Sequence, residues 1–444
     1  VLRFGTDGVR GVANADLTPE VVLALGRAAS RVLGGWRFVV GRDTRISGSM
    51  LEAALSAGLA SEGAQVLTLG VVPTPVVAHF AATEGMPGAM ISASHNPYTD
   101  NGVKLFAAGG RKLEAPVEAA LEAELHALLA REAPSESFTG DAVGSIVVES
   151  AIDHYAAAIN DSIAARSFAG MHAVVDCANG AASVIGPQVL RSLGVTVDVI
   201  HAEPDGTNIN AGCGSTHPAD LQRAVMARSA DVGIAFDGDA DRVILVDSNG
   251  QIVDGDEIIA VCASDLHKRG RLTGETIVVT VMSNLGLRVG MRDRGIHVIE
   301  TPVGDRHVME VLEAEGFALG GEQSGHVIFR EVATTGDGLL TAVQVLDVMA
   351  RTEWSLADLV AASMTKLPQV LRNIRIEGGA QAVAERAAAQ VQQVADRLGD
   401  EGRVLVRASG TEPVVRVMVE ATSSDLSEQV ADELASIVET CRAE

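Results

Sequence analysis

The chain has few of the residues that mark particular compartments and partners. Its four cysteines, Cys177, Cys213, Cys262 and Cys441, lie far apart and form no CxxC pair. That excludes a disulfide framework and a cysteine zinc site and points to a reduced, cytoplasmic setting. No apolar run reaches the roughly 18 residues of a membrane span, so no membrane partner is expected. The start passes from Val1 to the polar Thr6, Asp7 and Gly8, and no signal peptide is expected there. Positive charge is scarce. Lys and Arg number 34 against 58 Asp and Glu, a formal net charge of −24. Such a field repels a phosphate backbone, so nucleic acid is excluded as a general partner, although a local basic pocket can still take a small anion. The sequence contains no G-x-S-x-G nucleophile elbow, no P-loop and no G-x-G-x-x-G, which leaves hydrolase-type serine chemistry and nucleotide binding unsupported.

What is present is an ordinary globular composition, 47% hydrophobic and 21% charged over 444 residues. That argues against disorder and, at roughly 100–200 residues per domain, for about three domains. A pattern occurs three times. Strands are expected at 37–40, 172–175 and 276–279, each followed by a polar or glycine-containing loop and a helix-like stretch. In the first, Met50, Leu51, Ala54, Leu55 and Leu59 have helical spacing. Second strands are expected at 66–69, 195–200 and 296–299. Third strands are expected at 89–91, 232–236 and 317–319, each leading into a chemically loaded loop. These loops hold Ser94, His95, Asn96 and Pro97; Asp237, Asp239, Asp241 and Arg242; and Glu322, Gln323, Ser324, Gly325 and His326.

Strands alternating with helices imply parallel sheets that bind ligands beyond the carboxyl ends of their strands. Residues 380–398 and 426–441 read as helices, with strands at 404–406 and 414–419. The expected fold is α/β: three similar α/β domains with mixed, mainly parallel sheets plus a smaller C-terminal α+β domain around a central cleft. The expected domains are 1–147, 148–245, 246–364 and 365–444. Residues 132–144 are a linker candidate, and the Asp247-Ser248-Asn249-Gly250 turn signal marks the second boundary.

Asp237, Asp239 and Asp241 alternate with small residues. Carboxylates so close repel one another without a cation, and hard oxygen ligands suit Mg²⁺ or Ca²⁺. An EF-hand fails, because its sixth position would be Arg242 and its twelfth Ser248. Mg²⁺ commonly shares carboxylates with phosphate oxygens, which points to phosphoryl transfer. Ser94 in its polar loop is a candidate nucleophile, the alternative being a structural turn. Basic residues flank the special loops: Arg3 and Arg10, Arg42 and Arg45, Lys104, and Arg407 with Arg416. Between two apolar strands, Arg407, Ser409, Gly410 and Thr411 make a good phosphate cradle.

These four ordered motifs resemble the α-D-phosphohexomutase superfamily over nearly the whole chain. Within it, the opening from Phe4 to Gly11 and the stretch from Asn208 to Pro218 are similar to the bacterial phosphoglucosamine mutase branch. So are Gln323 in the third loop and Asp305, where dual-specificity phosphogluco/phosphomannomutases tend to carry His. The resemblance implies interconversion of glucosamine 6-phosphate and glucosamine 1-phosphate on the route to UDP-N-acetylglucosamine, a cell-wall precursor. It implies a phosphorylated Ser94, with Mg²⁺ held by Ser94, Asp237, Asp239 and Asp241. Arg10 and Arg242 would stabilise the phosphoryl group, and Lys104, with His95 second, would be the general acid/base. Glu322, Ser324 and Asp305 would face the sugar, and Arg407, Ser409, Gly410, Thr411 and Arg416 its phosphate. A sugar 1,6-bisphosphate would serve as primer and intermediate. A phosphorylating agent or kinase for Ser94 and a homodimer are further expectations. Three alternatives stand beside this reading: a phosphoglucomutase or phosphomannomutase, a non-catalytic sugar-phosphate binder, and a Mg²⁺-dependent phosphatase with Asp237 as nucleophile.

Overall fold

The computed structural model describes residues 8–130, 138–376, 378–409 and 413–443. Arg3, Thr6, Asp7, Gly410, Thr411 and part of the 132–144 linker candidate lie outside them. The chain divides into two compact units, one of residues up to Met282 with Ile296–Ala362, the other of Ser283–Gly295 with residues from Ser363 onward.

Three sheets of the first unit repeat one plan. Three strands run parallel, with the third in sequence beside the first and the first beside the second. They are Gly88–Ile91, Arg37–Arg42 and Gln65–Val71 in the first sheet. In the second they are Val232–Phe236, His172–Asp176 and Thr196–Ile200, and in the third Leu319–Gly321, Thr276–Thr280 and His297–Thr301. A return strand then lies antiparallel on the third: Asp100–Phe106, Val243–Asp247 and Val327–Phe329 respectively. Each chemically loaded loop is thus the link between the third strand and its return. Val9–Val12 and Ile146–Val148 extend the first sheet, and Ile252–Val253 extends the second.

The central strands are buried on both faces, so residues 277–279 and Val232–Phe236 carry no charged or polar side chain. Helices cover them. Gly48–Ser61 turns Leu51, Leu55 and Leu59 into the first core. Gly255–Lys268 starts at a capping box in which Asp254 and Glu257 satisfy each other's backbone N–H groups. Among the described residues no helix is long and apolar enough to cross a membrane.

The structure differs from expectation at three places. The last third strand is Leu319–Gly321, two residues later than read, because glycine is a poor strand former. Here it is needed, since a Cβ on Gly320 would come 2.6 Å from the Val278 carbonyl. The turn at Ser248–Gly250 joins two strands of one sheet, so the expected boundary at 245/246 cuts a strand. The boundary at 147/148 likewise falls inside the edge strand Ile146–Val148.

The second unit holds an antiparallel sheet ordered Gln369–Arg375, Val414–Ala421, Gly402–Ala408. The helices Ala380–Leu398 and Ser424–Ala443 pack on it through Val383, Ala387, Leu434 and Val438. The short helix Leu285–Arg292 belongs to this unit. Asn284 Oδ1 accepts from the Gly286 and Leu367 N–H groups, and buried Glu420 accepts from the Leu285 N–H at 2.8 Å.

Candidate active site

The second loop is the centre of the site. Asp237, Asp239 and Asp241 are all buried, and one oxygen from each lies within 4.8 Å of the others. Ser94 Oγ donates to Asp237 Oδ2 at 2.6 Å. Thr74 Oγ1 and Lys104 Nζ each donate to Asp239 Oδ2 at 2.6 Å, and Lys104 also reaches Asp241 Oδ2 at 3.0 Å. The other oxygens, Asp239 Oδ1 and Asp241 Oδ1, are buried with no hydrogen-bond partner among the described residues. Buried orphan oxygens of this hard type suit a divalent cation. Burial, reinforced by repulsion from Asp241 and Asp239, pushes the Asp237 carboxyl well above its ordinary range. Burial acts the same way on Asp241, but Lys104 and His326 outweigh it and hold that group well below.

All three sheets grip this loop. The Thr74 N–H donates to the Asp239 carbonyl at 2.9 Å, the Gly338 N–H to the Ala240 carbonyl at 3.0 Å, and the Val243 N–H to the Gly325 carbonyl at 3.1 Å. The approach is close. A Cβ on Gly238 would sit 2.6 Å from the Ser94 carbonyl, and one on Gly325, whose φ is +91°, would sit 2.1 Å from the Val243 carbonyl. The three loaded loops therefore meet, as three like domains aimed at one place require.

Ser94 itself is buried and has φ +51°, the left-handed region that costs a non-glycine residue energy. Its N–H donates to Ser92 Oγ at 2.9 Å. Its carbonyl accepts from Asn210 and Arg45. His95 Nδ1 lies 3.4 Å from Ser94 Oγ and accepts from Arg242 Nη1 at 3.2 Å. Burial, with the charges of Arg242 and Arg10, lowers the His95 pKa to about 4, so the ring is neutral near pH 7. Arg10, opposite Gly102 on the adjoining strand, acts on His95 through its charge, and Lys104 meets the acidic centre that Ser94 bonds.

In the third loop Glu322 Oε1 accepts from the Gly304 N–H at 3.1 Å, and Ser324 is exposed. Asp305 is engaged by Lys112 Nζ at 2.5 Å and by His326 Nε2 at 3.2 Å. Burial alone would lower the His326 pKa, but Asp305 and Asp241 outweigh it and push it up to about 10. Nε2 also lies 3.0 Å from the Gly336 nitrogen. The Gly336 N–H donates to Nε2 and favours the neutral ring, whereas the two carboxylates favour the charged one. In the C-terminal unit Arg407 and Arg416 are directly opposite on neighbouring strands, and the Ser409 N–H closes the strand end on the Val414 carbonyl. Burial and the Arg416 charge lower the Arg407 pKa. Facing guanidinium groups repel each other and suit an anion.

Sequence reasoning did not single out Thr74, Ser92 or Asn210, and it placed His326 in the third loop without giving it a role. The only signal for Asn210 was its place in the 208–218 stretch. Thr74 carried none, since a threonine at a helix start normally reads as a cap.

Comparison with known proteins agrees with this arrangement. Four family models match in order. Those for α/β/α domains I, II and III of phosphoglucomutase/phosphomannomutase match residues 1–132, 152–250 and 254–367, and that for its C-terminal domain matches 371–437. The phosphoglucosamine mutase of Frankia casuarinae is 52% identical, over 99% of this chain and 98% of that protein. A phosphoglucomutase/phosphomannomutase family protein of Burkholderia thailandensis superposes with TM-score 0.85 at 27% identity, covering 99% of this chain and 97% of that one. The fold also extends to Aspergillus fumigatus N-acetylphosphoglucosamine mutase, solved with GlcNAc-6P and magnesium (TM-score 0.70, 20% identity, 99% and 96% covered). With its motifs in order and its three loaded loops gathered at one acidic centre, the chain belongs to the phosphoglucomutase/phosphomannomutase family.

Proposed function

We propose that the chain is a mutase, an isomerase, that interconverts glucosamine 6-phosphate and glucosamine 1-phosphate, with Ser94 carrying the transferring phosphoryl group. The observation that carries this is the buried Ser94 hydroxyl on Asp237, with Lys104 and Arg242 beside it, in a chain 52% identical to a phosphoglucosamine mutase.

Asp237, Asp239, Asp241 and an oxygen of phosphorylated Ser94 would hold Mg²⁺, which when bound neutralises charge on the transferring group. The rest is positioning and electrostatics by the chain. Arg10 and Arg242 stabilise the phosphoryl oxygens. The Ser94 O–P bond breaks as the sugar 1-hydroxyl forms its own, and Lys104 gives an ammonium proton to the departing Ser94 oxygen and takes the hydroxyl proton in its place. His95 is the weaker candidate, because its Nδ1 already accepts from Arg242. Glucosamine 1,6-bisphosphate results and returns its 6-phosphoryl group to Ser94. Glu322 and Ser324 orient the sugar. Asp305, tied to Lys112 and His326, reaches it less directly. Arg407, Ser409, Gly410, Thr411 and Arg416 take the phosphate that is not transferred. Priming by a bisphosphate or a kinase, a cytoplasmic setting, a homodimer and supply of UDP-N-acetylglucosamine synthesis complete the reading.

Mass analysis of the chain after incubation with glucosamine 1,6-bisphosphate and Mg²⁺ should place one phosphate on Ser94. Ser94→Ala should fold and lose turnover by orders of magnitude. Residual activity above a few per cent, with Ser92 unmodified, would count against the covalent route.

A further inference from the structure

Among the described residues Arg45 is the largest fully buried side chain, and its guanidinium group is fully covered. Burying a charge is costly, and a buried ion pair is poor evidence of added stability. Its neighbours explain its presence. An arginine side chain has five N–H donors in a fixed fork. Nε donates to Asp43 Oδ2 at 2.9 Å. Nη1 donates to the carbonyls of Pro97 and Asp100, and Nη2 to those of Ser94 and Asn96, both at 2.9 Å. All five donors are used, and four of the five acceptors are main-chain carbonyls of one loop.

That loop carries Ser94 at φ +51°. A loop whose carbonyls at 94, 96, 97 and 100 all turn inward has its path set by whatever they turn towards. The fork in turn is fixed. Asp43 is fully buried and also accepts from the Arg45 N–H at 3.0 Å. On either side of Arg45, Thr44 Oγ1 donates to the Asn179 carbonyl at 2.7 Å and the Ile46 N–H to the Gly206 carbonyl at 2.8 Å. Asn210 from the same neighbouring domain holds two of the same carbonyls, Ser94 at 2.9 Å and Asn96 at 3.2 Å.

We infer that Arg45, anchored on Asp43, is the positioning residue that holds Ser94 in its left-handed conformation and aims its hydroxyl at the acidic centre. With its five donors taken and its side chain fully covered, Arg45 has no group left for substrate or for the transferring phosphoryl group. It acts through the loop, and this part of the inference rests on the mutase reading above. Lysine cannot replace it, because one ammonium carries three donors and cannot span four carbonyls and a carboxylate.

The test uses the full chain as Arg45→Lys, with Asp43→Asn as the milder partner that keeps volume and a backbone acceptor. Two readouts are taken: amide hydrogen exchange, and kcat and KM for glucosamine 6-phosphate. In Arg45→Lys, exchange over residues 92–101 should rise tenfold or more while the central strands stay protected. kcat should fall tenfold or more, with KM within twofold. Asp43→Asn should show the same changes in smaller measure, and it decides the matter if Arg45→Lys does not fold. Unchanged exchange over 92–101 overturns the inference whatever the activity. So does a loosened loop with kcat within twofold of the parent. If the parent chain turns over no sugar phosphate, the mutase reading fails, and the exchange result alone decides whether Arg45 holds the loop.

Discussion

Lys104→Met separates two roles of one ammonium group. Its Nζ lies 2.6 Å from Asp239 and 3.0 Å from Asp241, and the side chain is 5% exposed. Removing one member of a buried pair leaves charge uncompensated and costs about 3–5 kcal/mol. The metal-free variant should therefore unfold at lower urea, with an apparent loss in that range. Mg²⁺ should bind the variant more tightly, because the ammonium and a divalent cation draw on the same carboxylate oxygens. Unit charges 4 Å apart at an effective dielectric of 20 interact by about 4 kcal/mol. A third of that is about tenfold in Kd. Urea titrations with chelator and with Mg²⁺, and calorimetric Mg²⁺ titration, measure both. Stability lost without metal should be largely regained with it, while turnover stays low by orders of magnitude. Weaker Mg²⁺ binding, or metal-free stability equal to the parent, contradicts the assigned electrostatics.

Two further outcomes follow from the same structure. Burial raises the Asp337 pKa from its ordinary 3.8 to about 6, although Leu340 N–H and Tyr155 OH bond it. The folded state thus holds this proton more tightly, and the stability it confers is full below pH about 4 and lost as pH rises through 6. About two pKa units are about 3 kcal/mol. Asp337→Asn should therefore gain on the parent by that amount between pH 3.5 and 7 in urea unfolding, and parallel pH curves would exclude it. Arg407→Ala removes one of two facing guanidinium groups, so stability should hold or rise by a few tenths of a kcal/mol while KM rises at least tenfold. An unchanged KM would remove Arg407 from phosphate binding.

Much of the site was legible because it is local in sequence. Asp237, Asp239 and Asp241 announce a cation by their spacing, and Ser94 to Pro97 and Glu322 to His326 follow apolar strands at the same point of a repeated pattern. What was not legible is non-local. Arg45 read as one more basic residue beside a loop, because nothing in a sequence tells a buried guanidinium from a solvated one. Thr74 reaches Asp239 across 165 positions and Asn210 reaches Ser94 across 116. The turn at Ser248–Gly250 carries the same residues whether it ends a domain or closes a hairpin, and the choice is made by Ile252–Val253 pairing with Leu245 and Val246. Helix Leu285–Arg292 joins the C-terminal unit through Asn284 and Glu420, contacts that no period in its own sequence encodes.

The most direct test is kcat/KM for glucosamine 6-phosphate beside glucose 1-phosphate and mannose 1-phosphate, with Mg²⁺ and a sugar 1,6-bisphosphate primer. A preference for the amino sugar of about tenfold or more, roughly 1.4 kcal/mol in the transition state, is the expected outcome. Equal or faster turnover of the neutral sugars would move the chain to another branch of its family, and no turnover with Ser94 phosphorylated would contradict the catalytic assignment for these sugars.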